Sequence, residues 1–377
     1  MNICIVTSSY PLNPDDAQAA AGFFVRDFAL ELARAGHRIY VLTQYREGRI
    51  EDSAGLSVTR YAWAKENRPL SRLNPFHPKD LFEIFPLIRN GEKELFRLVQ
   101  REKINFCLAM WAIPGGYLTY LAYKKFSIPY AVYALGSDIW GWGKNQIFKA
   151  FLKKILDNAQ MLFADGCQLA LDVEKISRNK CRFLPSARVL PEPGPLAAID
   201  KSKTNFLFIG RYHKNKGVDL LIEAISLIPA DFLKGLHFYI FGGGDLEDLL
   251  KAKVKKYGLE NCVFLGSFIE AQKAAGYLSA CDCLIIPSRI ESIPVILSDS
   301  LQRQTPLIVT DVGDMGKLVR EYLAGKVVKP ENPQDLKNAI VEFSREDKEK
   351  YSPGIKELRK IFDVKKNAVS FLEAVGN

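Results

Sequence analysis

One order of elements occurs twice in this chain, and it constrains the fold more than composition does. Asn2–Thr7 is a short apolar run. A loop follows, then a helical stretch from Phe23 to Ala35 closed by Gly36, then a second apolar run, Ile39–Thr43. Phe24, Phe28, Ala29, Leu32 and Ala33 fall near helical spacing, and the short runs on either side read as strands. A strand, a helix and a second strand in succession form the opening unit of a parallel sheet. The same order restarts at Asn205–Gly210, passes through a loop and a helix at Val218–Leu227, and reaches a strand at His237–Gly242.

After that restart the alternation is regular. Helices are expected at Leu246–Tyr257, around Gln272–Ser279 and at Pro294–Gln302, and strands at Cys262–Leu265, Cys283–Ile286 and Leu307–Thr310. The pattern predicts α/β architecture, with two Rossmann-like doubly wound parallel-sheet domains facing a cleft. A chain of 377 residues has room for two domains. Leu190–Leu196 (LPEPGPL) reads as the linker, so the expected division is 1–192, 197–355 and a terminal segment 356–377. The helical pattern Lys356–Val375 in that last segment is expected to pack across the first domain. Residues 62–103 carry Pro69, Pro75, Pro78 and Pro86 and are expected to leave the sheet irregularly.

Composition removes several classes of function. Seven cysteines, with no CxxC pair, read as buried reduced thiols. No stretch approaches the length of a membrane-crossing helix. The N-terminus enters a strand pattern without a basic leader, so a cytoplasmic location is expected. No HExxH, Asp-x-Asp or Cys cluster is present, and no metal or other cofactor is expected. The net charge of +9, weighted to the N-terminal half, is modest and spread, which disfavours nucleic acid. It is compatible with an anionic membrane surface, as is the basic amphipathic pattern Ile147–Leu156; a surface helix burying its apolar face is the alternative.

Four short segments in the second half carry chemistry. Arg211 and Lys216, in Gly210-Arg211 and Lys216-Gly217, lie where a strand leads through a loop into a helix, and two cations beside helix amides suit a diphosphate. Solvated loop charges are the other reading. Gly242-Gly243-Gly244 forms a turn that lets backbone approach a ligand, or simply turns tightly. Gly266-Ser267-Phe268 follows a strand. Glu291, in Pro287–Pro294, precedes a helix, and Asp299 stands eight positions later; Glu291 or Ser292 capping that helix beside one exposed Asp is the alternative.

In order and spacing these segments resemble the nucleotide-sugar half of GT-B fold glycosyltransferases, specifically the retaining family 4. The text is GRYHKNKGVDLLIEA, FGGGD, FLGSF and PSRIESIPVILSDSLQRQTPLIVTDVG, over about residues 205–330. The N-terminal half is similar more loosely, through Gly22, GHRIYVLT and LGSDIW. The resemblance implies a metal-independent, retaining transfer from a UDP- or GDP-sugar to a glycan or lipid-linked acceptor. Arg211 and Lys216 would hold the diphosphate and stabilise its developing charge, and Glu291 would contact the donor sugar. Gly22, Gly243, Gly244, Ser292 and the amides near Ile293 and Val295 would face sugar or phosphate. Ser267 and Phe268 would flank the base, and Asp299 would contact the ribose. Ser137, Asp138 and Trp140, with Trp142 nearby, would lie on the acceptor side; a seat at a membrane interface, or core or lid packing, are the alternatives for the tryptophans.

Three departures stand out. Asp299 replaces the family's second Glu, Pro294 offers no N–H where Gly is common, and Leu135 stands where the family often has His. His213, inside the proposed phosphate loop, is a further candidate donor contact. Two other readings remain open at this stage: a sugar-nucleotide epimerase of the same fold, and a non-catalytic binding protein.

Overall fold

A computed structural model describes residues 1–16, 20–51, 53–63, 77–141, 146–195 and 199–376. Trp142, Pro69 and Pro75 lie outside them, as does part of the LPEPGPL segment. The chain divides into two compact units: Met1–Pro185 with Val364–Asn377, and Ser186–Asp363.

In the first unit the strands are β1 (Asn2–Val6), β2 (Arg38–Gln44), β3 (Ser57–Tyr61), β4 (Phe106–Met110), β5 (Tyr130–Ala134), β6 (Met161–Ala164) and β7 (Cys181–Phe183). Its first helices are α1 (Ala20–Arg34), α2 (Pro78–Arg101), α3 (Tyr117–Phe126), α4 (Ser137–Trp140), α5 (Gln146–Asp157) and α6 (Cys167–Glu174). The sheet is parallel, in the order β3-β2-β1-β4-β5-β6-β7. β4 and β5 are buried throughout, as strands covered by helices on both faces must be.

In the second unit the strands are β8 (Thr204–Ile209), β9 (Leu236–Phe241), β10 (Val263–Gly266), β11 (Cys283–Ile286), β12 (Leu307–Thr310) and β13 (Gly325–Val328). They alternate with α7 (Val218–Ser226), α8 (Ala230–Leu233), α9 (Glu247–Lys256), α10 (Ala271–Ala280), α11 (Val295–Gln302), α12 (Met315–Glu321), α13 (Pro333–Phe343) and α14 (Ser352–Arg359). This sheet is also parallel, in the order β10-β9-β8-β11-β12-β13. The winding reverses between β8 and β11, so the loops leaving those two strands flank a topological switch point, where doubly wound sheets take their ligands.

A last helix, α15 (Val364–Gly376), returns to the first unit. Its Phe371 is fully buried and meets Phe28 of α1, Phe106 of β4 and Phe163 of β6 at ring-centre distances of 5.6, 6.1 and 5.4 Å. Three such contacts fix the helix on the sheet face that α1 also covers.

Three expectations need correction. The segment expected to be irregular holds the 24-residue helix α2, with Pro86 inside it. The prolines masked a strong amphipathic period. The terminal helical pattern is two helices, α14 and α15, and the chain changes unit between them rather than at 356. The residues read as a linker are bonded into the second unit: the Leu190 amide donates to Gln302 Oε1 at 3.0 Å and the Gly194 amide to the Gln272 carbonyl at 3.0 Å. Proline and glycine remove regular structure, but they do not stop side chains of a neighbouring helix from holding the strand of chain. Of the cysteines, Cys4, Cys107, Cys262, Cys281 and Cys283 are buried free thiols, and burial pushes Cys107 and Cys281 up to about 12. Cys167 is exposed.

Candidate functional site

The loop leaving β8 runs from Gly210 to Gly217, and the loop leaving β11 from Pro287 to Pro294. They pack against each other because one residue has no side chain. A Cβ on Gly217 would lie 1.9 Å from the Pro287 carbonyl oxygen. Gly217 also has φ +68°, a conformation costly to other residues. Gly313 does the same from the opposite side: its absent Cβ would lie 2.3 Å from the Glu291 carbonyl. The loop that carries Glu291 is thus held between two glycines.

The contact brings Lys216 to Glu291. The ammonium pairs with the Glu291 carboxylate, and both side chains are partly exposed. Arg211 is exposed and makes no ion pair among the described residues. His213 caps the turn Lys214–Lys216, its Nδ1 accepting from the Asn215 amide at 3.2 Å. Burial and the charge of Arg211 hold its pKa below the ordinary value, so the ring is neutral at pH 7.

Two residues that the sequence did not single out organise these loops. Arg289 donates to both Asp219 oxygens, at 2.7 and 2.8 Å, to the Lys214 carbonyl at 2.7 Å and to Glu331 at 2.5 Å. Its amide donates to the Asn215 carbonyl at 2.8 Å. One side chain therefore fixes the turn that carries Lys216 against the loop that carries Glu291. Asp219 is half-buried; burial opposes its charge, yet the Arg289 bonds hold its carboxyl below the usual range. Tyr212 is buried, and its hydroxyl lies 2.6 Å from the Gly266 carbonyl and 2.8 Å from that of Ile240. Its amide donates to the Gly243 carbonyl at 2.8 Å. Tyr212 thereby joins the loops after β8, β9 and β10. Its signal was its place beside Arg211; Arg289 stood within the segment PSRIES.

The remaining expected positions sort as follows. Gly243 is buried, and a Cβ there would meet the ring of Phe268 at 2.8 Å; Ser267 and Phe268 are exposed. Gly244 has φ +141°. Ser292 and Ile293 are buried, and the Ser292 hydroxyl has no partner in the structure. Val295 is the first residue of α11, with Pro294 as its N-cap. Asp299 is fully buried, not the exposed carboxylate of the alternative reading. Arg188 clamps it, with Nε 3.0 and 3.1 Å from the two oxygens and Nη2 at 2.6 Å. One methylene shorter than Glu and facing the core side of α11, the carboxylate meets Arg188 instead of solvent.

In the first unit, Gly22 of α1 packs on the preceding loop: its absent Cβ would lie 2.9 Å from Tyr10 Cα. Ser137 is exposed. Asp138 is 2% exposed and accepts from the amides of Ala112 at 2.6 Å and Leu135 at 3.2 Å. Burial raises its pKa to about 6 against those bonds. Trp140 is half-buried; its indole N–H donates to Asp172 at 3.0 Å and its ring fills the space over Gly136. Asp138 ties the segments after β4 and β5 to each other, and Trp140 ties α4 to α6. Among the described residues, no three His, Cys, Asp or Glu side chains are grouped to hold a metal ion.

Residues 196–360 match the family described as Glycosyl transferases group 1. An uncharacterized glycosyltransferase of Methanocaldococcus jannaschii, MJ1178, is 28% identical over 249 residues, 65% of this chain and 67% of that protein. A phosphatidyl-myo-inositol mannosyltransferase of Mycobacterium leprae is 30% identical over 155 residues, 40% of each chain. The structure is similar to that of Anabaena Alr3699/HepE in complex with UDP and glucose, with a TM-score of 0.72 and 16% identity over 100% of this chain and 99% of that one. At that identity the likeness shows the fold, GT-B, and nothing of the substrate.

Proposed function

We propose that this chain, whose residues 196–360 match the glycosyl transferases group 1, is a retaining, metal-independent transferase that uses a UDP- or GDP-sugar. The acceptor is a glycan or lipid-linked glycan of the cell surface, reached at the cytoplasmic face of the membrane. The observation that carries the donor half of this reading is the meeting of Lys216 and Glu291, with the exposed Arg211 on the same loop as Lys216, beside the switch point of the second sheet. An exposed guanidinium and an ammonium already paired with a carboxylate suit a diphosphate flanked by a hydroxylated ring. The diphosphate adds charge that both cations can share, and the carboxylate can accept from sugar hydroxyls. HepE binds UDP and glucose on the same fold. The Mycobacterium leprae relative bears the name of an enzyme acting on a phospholipid.

The reaction that fits breaks the bond between the anomeric carbon and the phosphate oxygen and forms one to an acceptor hydroxyl on the same face. The departing phosphate receives the hydroxyl proton. Arg211 and Lys216 stabilise the charge that grows on the leaving diphosphate, the largest contribution expected of the protein. Arg289 and Tyr212 act through them as positioning residues. An epimerase would need groups that take and return a proton on the sugar; His213, neutral and capping its own turn, is engaged with the Asn215 amide.

The test is a melting series with UDP-, GDP-, ADP- and CMP-sugars, with and without EDTA, on the wild type and Arg211→Ala. Saturation at 100 times the dissociation constant adds about 2.7 kcal/mol. One nucleotide class should stabilise the wild type, persist in EDTA and fail with Arg211→Ala. Stabilisation that requires a divalent metal, or that Arg211→Ala retains, overturns this reading. Retention is checked by the anomeric configuration of the first product.

A further inference from the structure

The winding of the first sheet reverses between β1 and β4, so its switch point lies there. Trp111 is the first residue past β4, at the carboxyl edge. Its backbone stands at φ +67° and ψ 135°, a combination that disfavours any residue with a Cβ. The surroundings hold it there from several sides. Its amide donates to the Tyr133 carbonyl at 3.0 Å, and its carbonyl accepts from the Gly116 amide at 3.0 Å. The next amide, that of Ala112, donates to Asp138 Oδ2 at 2.6 Å. Gly115 lets the turn close, because a Cβ there would lie 2.8 Å from the Met110 carbonyl oxygen and 2.9 Å from that of Val6. Backbone strain over-determined in this way gathers at sites that use it.

What the strained residue presents is a partly exposed indole. The ring meets the buried Phe24 of α1 at 6.4 Å between centres, with 62° between the planes. That tilted contact fixes the ring without covering it. The indole N–H has no partner among the described residues. The other described tryptophans differ in this respect: Trp63 donates to the Tyr45 carbonyl at 3.1 Å and Trp140 to Asp172 at 3.0 Å. Trp140, the residue expected to face an acceptor, has also laid its ring over Gly136. Trp111 is therefore the described tryptophan at the carboxyl edge that still offers both an apolar surface and a donor.

We propose that Trp111 is the specificity-determining platform for the acceptor, and that its occupant is a pyranose ring. A pyranose with mostly equatorial hydroxyls turns C–H groups to its two faces and hydroxyls to its rim. Such a face packs on the indole, while the indole N–H donates to a hydroxyl or to the ring oxygen. A lipid chain would use the ring and leave the N–H without a partner. A phosphate would use the N–H and bring its charge against an apolar surface. The combination of surface and donor therefore selects a sugar. This inference rests on the transferase reading and deepens it: the acceptor ends in a sugar, not in a bare lipid alcohol or lipid phosphate. Asp138, which holds the neighbouring amide, serves Trp111 as a positioning residue.

Fluorine NMR of the full chain labelled with fluorotryptophan tests it. The resonance that Trp111→Phe removes belongs to Trp111. In the otherwise unchanged protein that resonance should move on titration with at least one of the octyl pyranosides of glucose, galactose, mannose and N-acetylglucosamine, in the presence of UDP or GDP. It should stay in place with undecaprenyl phosphate. In transfer to the pyranoside that binds, Trp111→Leu should raise the acceptor KM at least about ten-fold and leave the donor KM nearly as it was. Trp111→Phe, which keeps a ring, should recover most of that loss. A resonance that no pyranoside moves overturns the proposal, whether or not Trp111→Leu folds. So does one that undecaprenyl phosphate alone moves, which assigns the platform to a lipid phosphate. Loss of the donor-induced melting shift in a folded Trp111→Leu also overturns it, because the ring then serves the donor. A chain that no nucleotide stabilises, but whose Trp111 resonance a pyranoside moves, would sink the transferase reading and leave the sugar platform standing.

Discussion

The first strand-to-helix junctions of the two units occupy equivalent places, yet they use charge in opposite ways. After β1, Asp16 accepts from the Leu12 amide at 2.9 Å and pairs with Arg46. Arg60 donates to the Pro11 carbonyl at 3.0 Å and lies 5.6 Å from the centre of the Tyr10 ring. The cations near that junction are bonded into the loop itself. After β8, by contrast, Arg211 is exposed, and Lys216 meets a carboxylate from another loop. A junction stitched by its own cations keeps its shape but has little left for a diphosphate. A junction shaped by glycine contacts and by Arg289 keeps the Arg211 guanidinium available. The asymmetry between the two units is therefore written in where the charges end, not in the topology, which the two units share.

The contrast is sharpest within the second unit, where spent and available charge stand side by side. Arg188→Ala removes the guanidinium that clamps the buried Asp299 carboxylate and should cost about 3–5 kcal/mol of unfolding free energy in urea titrations. Replacing both partners by apolar residues, Arg188→Met with Asp299→Leu, should recover much of that loss. A small effect of the single variant would mean that other groups or water hold Asp299 and that the Arg188 clamp is not what stabilises it. Arg211→Ala should do the reverse. Its unliganded stability should stay within about 0.5 kcal/mol of the wild type, as expected at an exposed site. Its turnover should fall by about 100- to 1000-fold, the range for loss of one group facing transition-state charge. If Arg211→Ala unfolds as easily as Arg188→Ala, the two uses of charge are not separate.

That difference marks the limit of what the sequence made legible. Strands and helices of the second unit were readable because buried parallel strands are short apolar runs, and Cys283–Ile286 and Leu307–Thr310 are found where the pattern puts them. α2 was not readable, since its prolines at the first turn and at Pro86 hid the period. In the site, residue types announced which loops matter, but not which way a side chain leaves its helix. Asp299 and Glu291 share one motif; one helical turn of orientation and one methylene decide that Asp299 meets Arg188, far away in sequence. Arg289 and Tyr212 were likewise invisible as organisers, because their partners, carboxylates and backbone carbonyls alike, come from other segments of the chain. No residue-type pattern records such bonds.

Asp138 tests the same comparison in the first unit by pH. Its pKa is about 6 in the folded chain against an ordinary 3.8, raised by burial. Between those values the folded state holds a proton that the unfolded chain releases. This group's contribution to stability therefore declines as pH rises from about 4 to about 6 and is level above, the reverse of a paired carboxylate. Asp138→Asn keeps a carbonyl to accept from the Ala112 amide and cannot ionise. Relative to the wild type it should gain stability between pH 4.5 and 7, by up to about 3 kcal/mol. A flat difference across that range would show that the carboxylate stays charged, with its charge available to an acceptor.

The smallest expected effect is the most discriminating for the loop after β1. Arg46 is partly exposed and its partner Asp16 nearly buried, with side-chain exposures of 23% and 8%. Asp16 retains its bond from the Leu12 amide when Arg46 is removed, so the loss is that of one semi-exposed pair. Arg46→Ala should cost about 1 kcal/mol in urea titrations, at the upper end for such pairs. The donor-induced melting shift should be unchanged, because the guanidinium serves the loop and not a diphosphate. A donor response that Arg46→Ala weakens as much as Arg211→Ala would place a phosphate contact in the first unit as well. The division of charge between the two junctions would then be a property of the unliganded chain alone, redrawn when the donor arrives.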